Sequence, residues 1–469
     1  MRAINRRIFI ELMPLLMKKN RLSVMFHSPQ TALIGGFAGA ILVGAIILRL
    51  PWANQPGKVN FVDALFTATS AVCVTGLAVV DTGTDYTFFG QVVILLLIQA
   101  GGLGIMSFAA VAFQLLGRRM SLQSEAVLHD TFFQRDMAAE FQRTFRTILS
   151  LTASIEGIGA CFLFFLLLPR MELGPAAFSS IFHSVSAFCN AGFSLRNDNL
   201  IGLRDSGGIL FVIMALIVLG GLGYTVLNEI YSHCRYSNRG KKRDGPNRFS
   251  FHARLVLWVT SFLITGGAAT LLVFGMTPDE FSWWDQTFNA LFQSVTARTA
   301  GFNSVDIGKL PSASLFILII LMFIGGSPAS CAGGIKTTSA AILWARTVAG
   351  LRGQREVKLL DRRIPHELIS RTDLLIALAL FWNMAGVLFL FTTEAGLPVD
   401  TLDLVFEQIS AFGTVGLSTG LTPDLSVPGK LWLVATMFVG RLGPLTIALW
   451  MIPATNVSVR YPKGSVMIG

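Results

Sequence analysis

Residues 70–81 read SAVCVTGLAVVD and follow an apolar stretch with the composition of a helix. The group Val74-Thr75-Gly76 interrupts that stretch with a turn that cannot be helical. A glycine turn of this kind is ordinary in a surface loop. The alternative in so apolar a chain is a non-helical backbone held at membrane depth. A recurrence of the pattern decides between the two.

The pattern occurs in four copies. In each copy a Phe is followed four positions later by Ser or Thr and nine or ten positions later by Gly. The copies are ALFTATSAVCVTGL (64–77), SIFHSVSAFCNAGF (180–193), ALFQSVTARTAGF (290–302) and LVFEQISAFGTVGL (404–417). The third copy is one residue shorter, which predicts a shifted register where its short helix ends. Unrelated surface loops would not keep these offsets, so an internal repeat is indicated.

The composition indicates a membrane protein. Of 469 residues, 53% are hydrophobic and 14% are charged, with a mean hydropathy of +0.62, whereas soluble domains average about 25% charged residues. Stretches long enough to cross a bilayer recur. We expect eight spans, near 31–50, 87–113, 148–168, 207–230, 253–275, 313–347, 373–396 and 430–453.

The net charge of +10 is distributed unevenly. Arginines and lysines concentrate before the first span and in alternate connections, at 118–146, 235–254 and 346–371. This positive-inside pattern predicts that both termini are cytoplasmic, and it makes nucleic-acid binding a poor explanation of the charge. Glu11 and Pro14 interrupt the apolar N-terminal run, which predicts an interfacial helix and not a signal peptide.

Each copy lies between two spans on the sparsely charged side and is too short to cross a bilayer. The second span of each pair carries a glycine-rich kink, at 101–104, 220–223, 325–328 and 440–443. We therefore expect an all-α membrane protein of four pseudo-repeated units, each a span, a re-entrant pore helix and a second span, around a central pore. The expected division is 1–30 cytoplasmic segment, 31–116 repeat 1, 147–232 repeat 2, 252–348 repeat 3, 372–455 repeat 4 and 456–469 tail.

Non-helical backbone at membrane depth is tolerated where it lines a watery path or is buried in protein. Four glycine corners around one axis would form rings of carbonyl oxygens that replace the hydration shell of a monovalent cation. The short helices would direct their negative ends at that ion. The expected filter residues are Cys73, Val74, Thr75 and Gly76; Cys189, Asn190, Ala191 and Gly192; Arg298, Thr299, Ala300 and Gly301; and Gly413, Thr414, Val415 and Gly416.

The sixth span is interrupted by GGSPASCAGGIKTTS (325–339), which predicts an unwound intramembrane loop below the filter. The alternative is a simple kinked helix. Arg441 stands where the other kinks have Gly102, Gly221 and Gly326, and a membrane-depth arginine suggests function. It would repel cations or hold the loop through its carbonyls, unless it forms a structural ion pair. The expected gate residues are Gly325, Gly326, Ser327, Ala329, Ser330, Gly333, Gly334, Lys336 and Arg441.

Three further charges, Arg298, Glu407 and Glu156, fall at membrane depth. Because unpaired charges there are costly, we expect Arg298 to pair with Glu407 or Glu156 and to brace the filter. The five cysteines lack metal-ligand spacing and are expected to be small buried residues and not disulfides. We find no phosphate-binding loop, dinucleotide fingerprint or acid–base constellation, so the chain is not expected to be an enzyme or to hold an organic cofactor.

The sequence closely resembles the Trk/Ktr/HKT superfamily of potassium transporters, and within it the Ktr membrane subunits. The resemblance covers nearly the whole chain and is carried by residues 63–84, 90–108, 186–195, 294–306, 333–338 and 410–420. It implies potassium at the filter carbonyls, an intramembrane loop at 325–339 that obstructs the pore from the cytosolic side, a pore-facing Arg441, and sodium-stimulated potassium uptake or symport. It also implies a homodimer in a bacterial plasma membrane, regulated by a cytosolic RCK subunit that binds the nucleotide.

Three alternatives remain at this point. A less selective sodium and potassium channel is one, because each corner supplies a single glycine. A Trk-type or KdpA-like translocating subunit is another, although KdpA is longer. The third is a membrane scaffold that transports nothing, which four coincident corners make improbable. The basic inner loops fit an acidic partner or anionic lipid headgroups equally well.

Overall fold

The computed structural model describes residues 29–104, 137–237, 249–275, 282–328 and 330–451. The expected N-terminal interfacial helix, the C-terminal tail and gate residue Ala329 lie outside these residues, as does most of the first basic loop. The named strands of the described part form one short hairpin, β1 (Lys358–Leu359) paired antiparallel with β2 (Arg362–Arg363), and the other long elements are helices joined by turns and loops.

The helices in chain order are α1 (Pro29–Arg49), α2 (Phe61–Val72), α3 (Phe88–Gly102), α4 (Met137–Leu167), α5 (Leu173–Phe188), α6 (Gly207–Leu222), α7 (Tyr224–Ser237), α8 (Phe251–Phe274), α9 (Trp283–Thr296), α10 (Ser312–Phe323), α11 (Thr337–Leu351), α12 (His366–Thr393), α13 (Thr401–Gly413), α14 (Val427–Leu442) and α15 (Pro444–Met451).

Four short helices, α2, α5, α9 and α13, contain the repeated sequence pattern. Each follows a longer helix and packs against it: α2 on α1, α5 on α4, α9 on α8 and α13 on α12. Two of them begin at side-chain caps, because Asn60 Oδ1 accepts from Asp63 N at 2.9 Å and Ser282 Oγ accepts from Asp285 N at 3.3 Å. The repeated phenylalanines, Phe66, Phe182, Phe292 and Phe406, are fully buried and anchor these helices in the core.

Glycine ends or breaks the helix that follows three of the short helices. Gly104, Gly223 and Gly443 have φ of +83°, +88° and +85°, a conformation that glycine adopts without strain. The chain bends by 106° where α6 gives way to α7. In the remaining case α10 stops at Phe323 and α11 starts at Thr337, and the described residues between them form a non-helical loop, the loop at 324–336. The sequence predicts an unwound loop over 325–339, but its last three residues, 337–339, belong to α11.

These breaks shorten the helices relative to the eight expected spans. Three described helices are long and apolar enough to cross a membrane: Phe145–Leu167, Phe251–Phe274 and His366–Thr393. The bent pair of α6 and α7 makes a fourth if it is taken as one span, and the remaining apolar helices are shorter. Large apolar side chains such as Trp258, Phe262 and Val273 are exposed on the outside, as expected of surface facing lipid.

The first glycine of three kinks lets two backbones touch. Ideal Cβ atoms on Gly101, Gly220 and Gly440 would lie 2.0, 1.8 and 2.0 Å from carbonyl oxygens of Val72, Phe188 and Phe412, at the ends of α2, α5 and α13. No larger residue fits at that separation, so glycine here fixes how close α3, α6 and α14 lie to the short helices. At Gly325 the corresponding neighbour is the Gly333 oxygen, at 2.1 Å, because the loop folds back on itself.

Candidate functional site

The four repeated glycines lie in one closed ring. Because glycine has no Cβ, each of the four leaves room for a carbonyl oxygen of the next copy. An ideal Cβ would lie 2.4 Å from Ala191 O on Gly76, 2.6 Å from Ala300 O on Gly192, 2.4 Å from Val415 O on Gly301 and 2.1 Å from Thr75 O on Gly416. The order of contacts runs from the first copy to the fourth and back to the first, so four corners from distant parts of the chain meet around one centre.

The corners also share an unusual backbone. The four glycines have φ between +68° and +93°, and the residue two before each, Val74, Asn190, Thr299 or Thr414, has φ between +49° and +72°. Non-glycine residues rarely adopt the left-handed region, and four matched instances at one place indicate a geometry under functional constraint.

Each corner is closed by a backbone bond to the repeated Ser or Thr. The amides of Thr75, Ala191 and Val415 donate to carbonyls five residues earlier, at 2.7 to 2.9 Å. In the shorter third copy, Ala300 N donates to Thr296 O, four residues earlier, at 2.9 Å. This is the change of register that the missing residue predicts.

The side-chain hydroxyls of the repeated Ser and Thr residues bind the backbone at the corner glycine or at the residue after it. Ser186, Thr296 and Ser410 donate to the carbonyl of the residue after the glycine at 2.6 to 2.8 Å. Ser70 and Ser410 also accept from the amides of Gly76 and Gly416, at 3.0 and 3.2 Å. The hydroxyls therefore support the corner backbone and do not face outward as nucleophiles.

A second set of supports escaped the sequence analysis. The residue after each repeated Phe is polar and buried: Thr67, His183, Gln293 or Glu407. Three of them reach a serine just past the glycine: His183 Nε2 lies 3.0 Å from Ser194 Oγ, Gln293 Nε2 3.5 Å from Ser304 Oγ, and Glu407 Oε1 2.5 Å from Ser418 Oγ. The sequence contains the signal for these supports, because a polar residue directly follows the repeated Phe in all four copies.

Glu407 makes the most extensive of these supports. Its carboxylate accepts from Ser418 Oγ, from Thr419 N at 3.1 Å and from Thr422 Oγ1 at 2.7 Å. The side chain is fully buried. Three donors from residues 418–422 thus converge on one carboxylate and fix the segment that follows the fourth corner.

We expect Glu407→Ala to loosen the fourth corner and lower thermal stability in detergent. The substitution removes the acceptor that Ser418, Thr419 and Thr422 share, and each lost hydrogen bond costs about 0.5–1.5 kcal/mol. Glu407→Gln keeps the shape and part of the bonding and should have a smaller effect. Glu367→Ala serves as the control, because that carboxylate is exposed and joins Arg371 in a surface pair of little value. Equal melting temperatures for Glu407→Ala and the control would contradict the supporting role.

The loop at 324–336 lies against the corners. An ideal Cβ on Gly333 would lie 2.2 Å from Thr414 Oγ1, and one on Gly325 would lie 3.2 Å from Thr299 Cγ2. Ile335 O accepts from Gly325 N at 2.9 Å, and Thr337 N donates to Gly326 O at 3.1 Å. Because the contacting loop residues are glycines, the loop backbone packs directly against Thr299 and Thr414, which form the base of the ring.

Neighbouring helices hold the loop in this position. Ser327 N donates to Gly221 O at 3.1 Å and Cys331 N donates to Gly220 O at 3.4 Å, both at the end of α6. Ser330 Oγ donates to Ser327 O within the loop, at 2.7 Å. Gly334, with φ of +63°, lies next to Gly413 at the end of α13.

Arg441 connects the loop to a further helix. Its Nη1 donates to the carbonyl of Cys331 in the loop, and its Nη2 donates to the carbonyl of Gly101 at the end of α3. Lys336 Nζ donates to Ala332 O at 2.5 Å. Of the two roles considered for Arg441, the contacts favour holding the loop through its carbonyls, and no ion pair to Arg441 occurs among the described residues.

The expected pairing of Arg298 with Glu407 or Glu156 is wrong for the described residues. Glu407 is satisfied by hydroxyl and amide donors, and Glu156 Oε2 accepts from Gln99 Nε2 at 3.2 Å. Arg298 Nη2 instead lies 3.5 Å from Thr260 Oγ1 on α8. Spacing along the sequence did not reveal that neutral donors surround both carboxylates.

Two cavities border the ring and the loop. The glycine-side cavity, about 390 Å³, is lined by residues that include Gly76, Gly192, Asp81, Asp85 and Arg196. The arginine-side cavity, about 330 Å³ within the described residues, is lined by residues that include Gly102, Cys189, Cys331, Lys336 and Arg441. The ring glycines thus line one cavity, and the loop and Arg441 line the other.

The carboxylates near the glycine-side cavity are held by local partners. Asp81 Oδ1 accepts from Gly83 N at 2.7 Å. Partial burial opposes ionisation of Asp198, yet Arg196, whose Nε lies 3.0 Å from its Oδ1, holds the pKa of that carboxyl below its usual range. No cluster of three or more metal-ligating side chains occurs in the described part of the chain.

Comparison with known proteins adds an independent observation. The model of a family described as TrkH, cation transport protein, matches residues 40–458. The chain belongs to the TrkH family. The resemblance to the Trk/Ktr/HKT superfamily is thereby confirmed. Members of the family are cation transporters and not a class of enzyme, and together with its apolar helices this makes the chain a multi-pass membrane protein.

Curated relatives match the TrkH-family chain over nearly its whole length. It is 38% identical over 452 residues to the Ktr system potassium uptake protein B of Bacillus subtilis, covering 95% of this chain and 98% of the relative. It is 34% identical to the potassium/sodium uptake protein NtpJ of Enterococcus hirae, covering 94% and 97%. The crystal structure of the potassium transporter TrkH from Vibrio parahaemolyticus shares the fold, with a TM-score of 0.69, 19% identity and coverage of 90% of this chain and 84% of that one.

Proposed function

We propose that this chain carries potassium into the cell through the glycine ring. One observation carries the proposal: four carbonyl oxygens, of Thr75, Ala191, Ala300 and Val415, each lie beside the glycine of a neighbouring corner. Carbonyl rings of this kind replace the hydration shell of a potassium ion. Two relatives are named for uptake of potassium, or of potassium and sodium, which supports potassium as the cargo.

The proposed architecture is four repeated units around that ring. In each unit a long helix, a short helix and a second, often broken, helix follow one another along the chain. The proposed repeats are 31–116, 147–232, 252–348 and 372–455, with eight spans in total. The C-terminal ends of α2, α5, α9 and α13 lead into the corners, so their partial negative charge would favour a cation at the centre.

The proposed gate is the loop at 324–336 together with Arg441. The loop lies against Thr299 and Thr414 at the base of the ring, and Arg441 fastens it to the Gly101 carbonyl. A cation leaving the ring toward the arginine-side cavity would meet both the loop backbone and a positive charge. Conduction then requires that the loop and the guanidinium move aside, which would be the gating step.

The setting we propose is a bacterial plasma membrane with both chain termini in the cytoplasm, as the positive-inside pattern indicates. By similarity to the Ktr relatives we propose a homodimer that binds a cytosolic RCK subunit, on which the regulatory nucleotide would be bound. The arginines and lysines of the inner connections would face that subunit and the lipid headgroups. Sodium would act on uptake without being the principal cargo.

The test is cation uptake in a bacterial strain that lacks its own potassium transporters. Cells that express this chain with an RCK partner should grow at limiting external potassium and take up rubidium as a tracer, and external sodium should raise the rate. Growth no better than with an empty vector would contradict potassium uptake.

A second candidate, a less selective sodium and potassium pathway, is favoured by one feature: each corner supplies a single glycine, so the ring is short. The similarity to a potassium/sodium uptake protein is consistent with it. Competition of rubidium uptake by external sodium distinguishes the two. Sodium that displaces rubidium at equal concentration supports the less selective pathway, whereas potassium selectivity predicts little displacement.

A further inference from the structure

Two cysteines from distant parts of the chain meet at one glycine. Cys189 follows α5 and begins the second corner, and Cys331 lies in the loop at 324–336. Cys331 Sγ donates to Gly102 O at 3.1 Å, and an ideal Cβ on Gly102 would lie 2.4 Å from Cys189 Sγ.

The neighbourhood of Cys331 is that of a reactive cysteine, whereas the Cys189 thiol donates to Glu156 Oε1 at 3.7 Å. Both residues line the arginine-side cavity, so a small molecule that enters the cavity comes close to both side chains. Cys331 is partly exposed whereas Cys189 is buried. The guanidinium of Arg441 binds the Cys331 carbonyl, which brings a positive charge close to the thiols. Reactive cysteines are commonly found beside such cations and partly open to solvent.

We propose that Cys189 and Cys331 are a redox modification site, at which a peroxide converts the two thiols into a disulfide that ties the loop to the second corner. The Cys331 sulfur attacks one peroxide oxygen, the O–O bond breaks, and sulfenic acid and one water result. The Cys189 sulfur then attacks the Cys331 sulfur, the S–O bond breaks, and a second water leaves. The two thiols lose two electrons and hydrogen peroxide gains them.

The consequence for transport rests on the proposed function of the loop as the gate. A covalent bond between Cys189 and Cys331 prevents the loop from moving away from the ring while the disulfide is present. Oxidation would therefore hold the path closed, and a dithiol reductant would release it by thiol–disulfide exchange. Both sulfurs already lie against Gly102, so the disulfide would join two residues that are neighbours in this structure.

The experiment uses the full chain reconstituted in liposomes, with rubidium tracer flux measured before and after hydrogen peroxide and again after dithiothreitol. Each flux is expressed as a ratio to the untreated sample of the same variant. We expect peroxide to lower the flux of the unmodified chain by about tenfold or more, because the locked arrangement removes the open one from the population. Dithiothreitol should restore the flux. Mass spectrometry of non-reduced peptides should show Cys189 linked to Cys331.

Matched variants assign the effect. Cys331→Ser and Cys189→Ser should each make the flux ratio insensitive to peroxide. Cys73→Ser and Cys161→Ser should keep the full response, since Cys73 occupies the matching position of the first corner and Cys161 lies exposed on α4. A response that survives Cys331→Ser would overturn the proposal.

Two results on the unmodified chain separate the chemistry from the transport step. If peroxide gives no peptide linking Cys189 to Cys331, the redox site is overturned and the proposed transport function stands. If the linked peptide forms in most molecules and flux is unchanged, control of the path by this bond is overturned, and with it the gating role of the loop.

Discussion

Gly301→Ser is expected to lower the preference of uptake for potassium over sodium by about tenfold, or about 1.4 kcal/mol of differential binding. An ideal Cβ at this position lies 2.4 Å from Val415 O and 3.3 Å from Gly192 Cα, so a side chain displaces backbone of two other corners. The left-handed conformation at φ +79° adds about 1–2 kcal/mol of strain for a non-glycine residue. A distorted ring coordinates a dehydrated ion less selectively. The measurement compares rubidium uptake with sodium uptake in liposomes. Gly76→Ser should show the same loss of selectivity.

Gly57→Ser is the matched control. Gly57 has φ of +76°, nearly the same as Gly301, but nothing lies within 4 Å of its ideal Cβ. The control therefore carries the backbone strain without touching the ring, and its selectivity should equal that of the unmodified chain. Unchanged selectivity in both Gly76→Ser and Gly301→Ser would count against the ring as the selective element.

Arg441→Ala is expected to raise the basal flux by about tenfold or more, since it removes the bonds that fasten the closed loop. Its guanidinium joins Cys331 O in the loop to Gly101 O on α3. Hydrogen bonds made by a charged donor contribute about 1.5–3 kcal/mol each, enough to shift a two-state equilibrium by more than tenfold. The flux should also depend less on the RCK partner.

Arg441→Lys separates the two contributions of this residue. Lysine keeps the positive charge but cannot reach two carbonyls with a planar fork. If holding the loop is the main role, Arg441→Lys should raise the flux nearly as much as Arg441→Ala. A lysine variant with the basal flux of the unmodified chain would show that charge repulsion is the main role, and no increase in either variant would contradict the gate.

The sequence was sufficient to predict the corners because the pattern that builds them is local and repeated. Each copy contains its own short helix, hydroxyl and glycine, and the one-residue deletion in the third copy correctly predicted a changed hydrogen-bond register at Ala300. The loop at 324–336 was also predictable, since glycine, proline and serine in succession cannot sustain a helix.

Contacts between segments that are distant along the chain could not be predicted from the sequence. The order of the ring, in which Gly416 returns to Thr75, depends on how four units pack together. The partners of Glu407 lie a few residues past the corner, and sequence reasoning looked for an opposite charge instead of neutral donors. Helix lengths were overestimated because average hydropathy does not register single glycine breaks such as Gly223.

Cys189 and Cys331 show the same difference between what a local pattern predicts and what tertiary packing decides. Cysteine spacing and apolar surroundings predict small buried thiols, and the four described cysteines are free, yet Cys161 is exposed and Cys331 is partly exposed. The meeting of Cys189 and Cys331 arises only from the loop folding beneath the second corner. Residues separated this far in sequence become neighbours through tertiary packing alone.

The most direct test of the glycine ring is the location of a bound ion in crystals of this protein grown with rubidium or thallium. An anomalous peak is predicted on the axis of the ring, within coordination distance of the carbonyl oxygens of Thr75, Ala191, Ala300 and Val415. It should diminish when potassium replaces the heavier ion. A well-phased map with no peak inside the ring, and ions bound only elsewhere, would contradict cation coordination by these four corners.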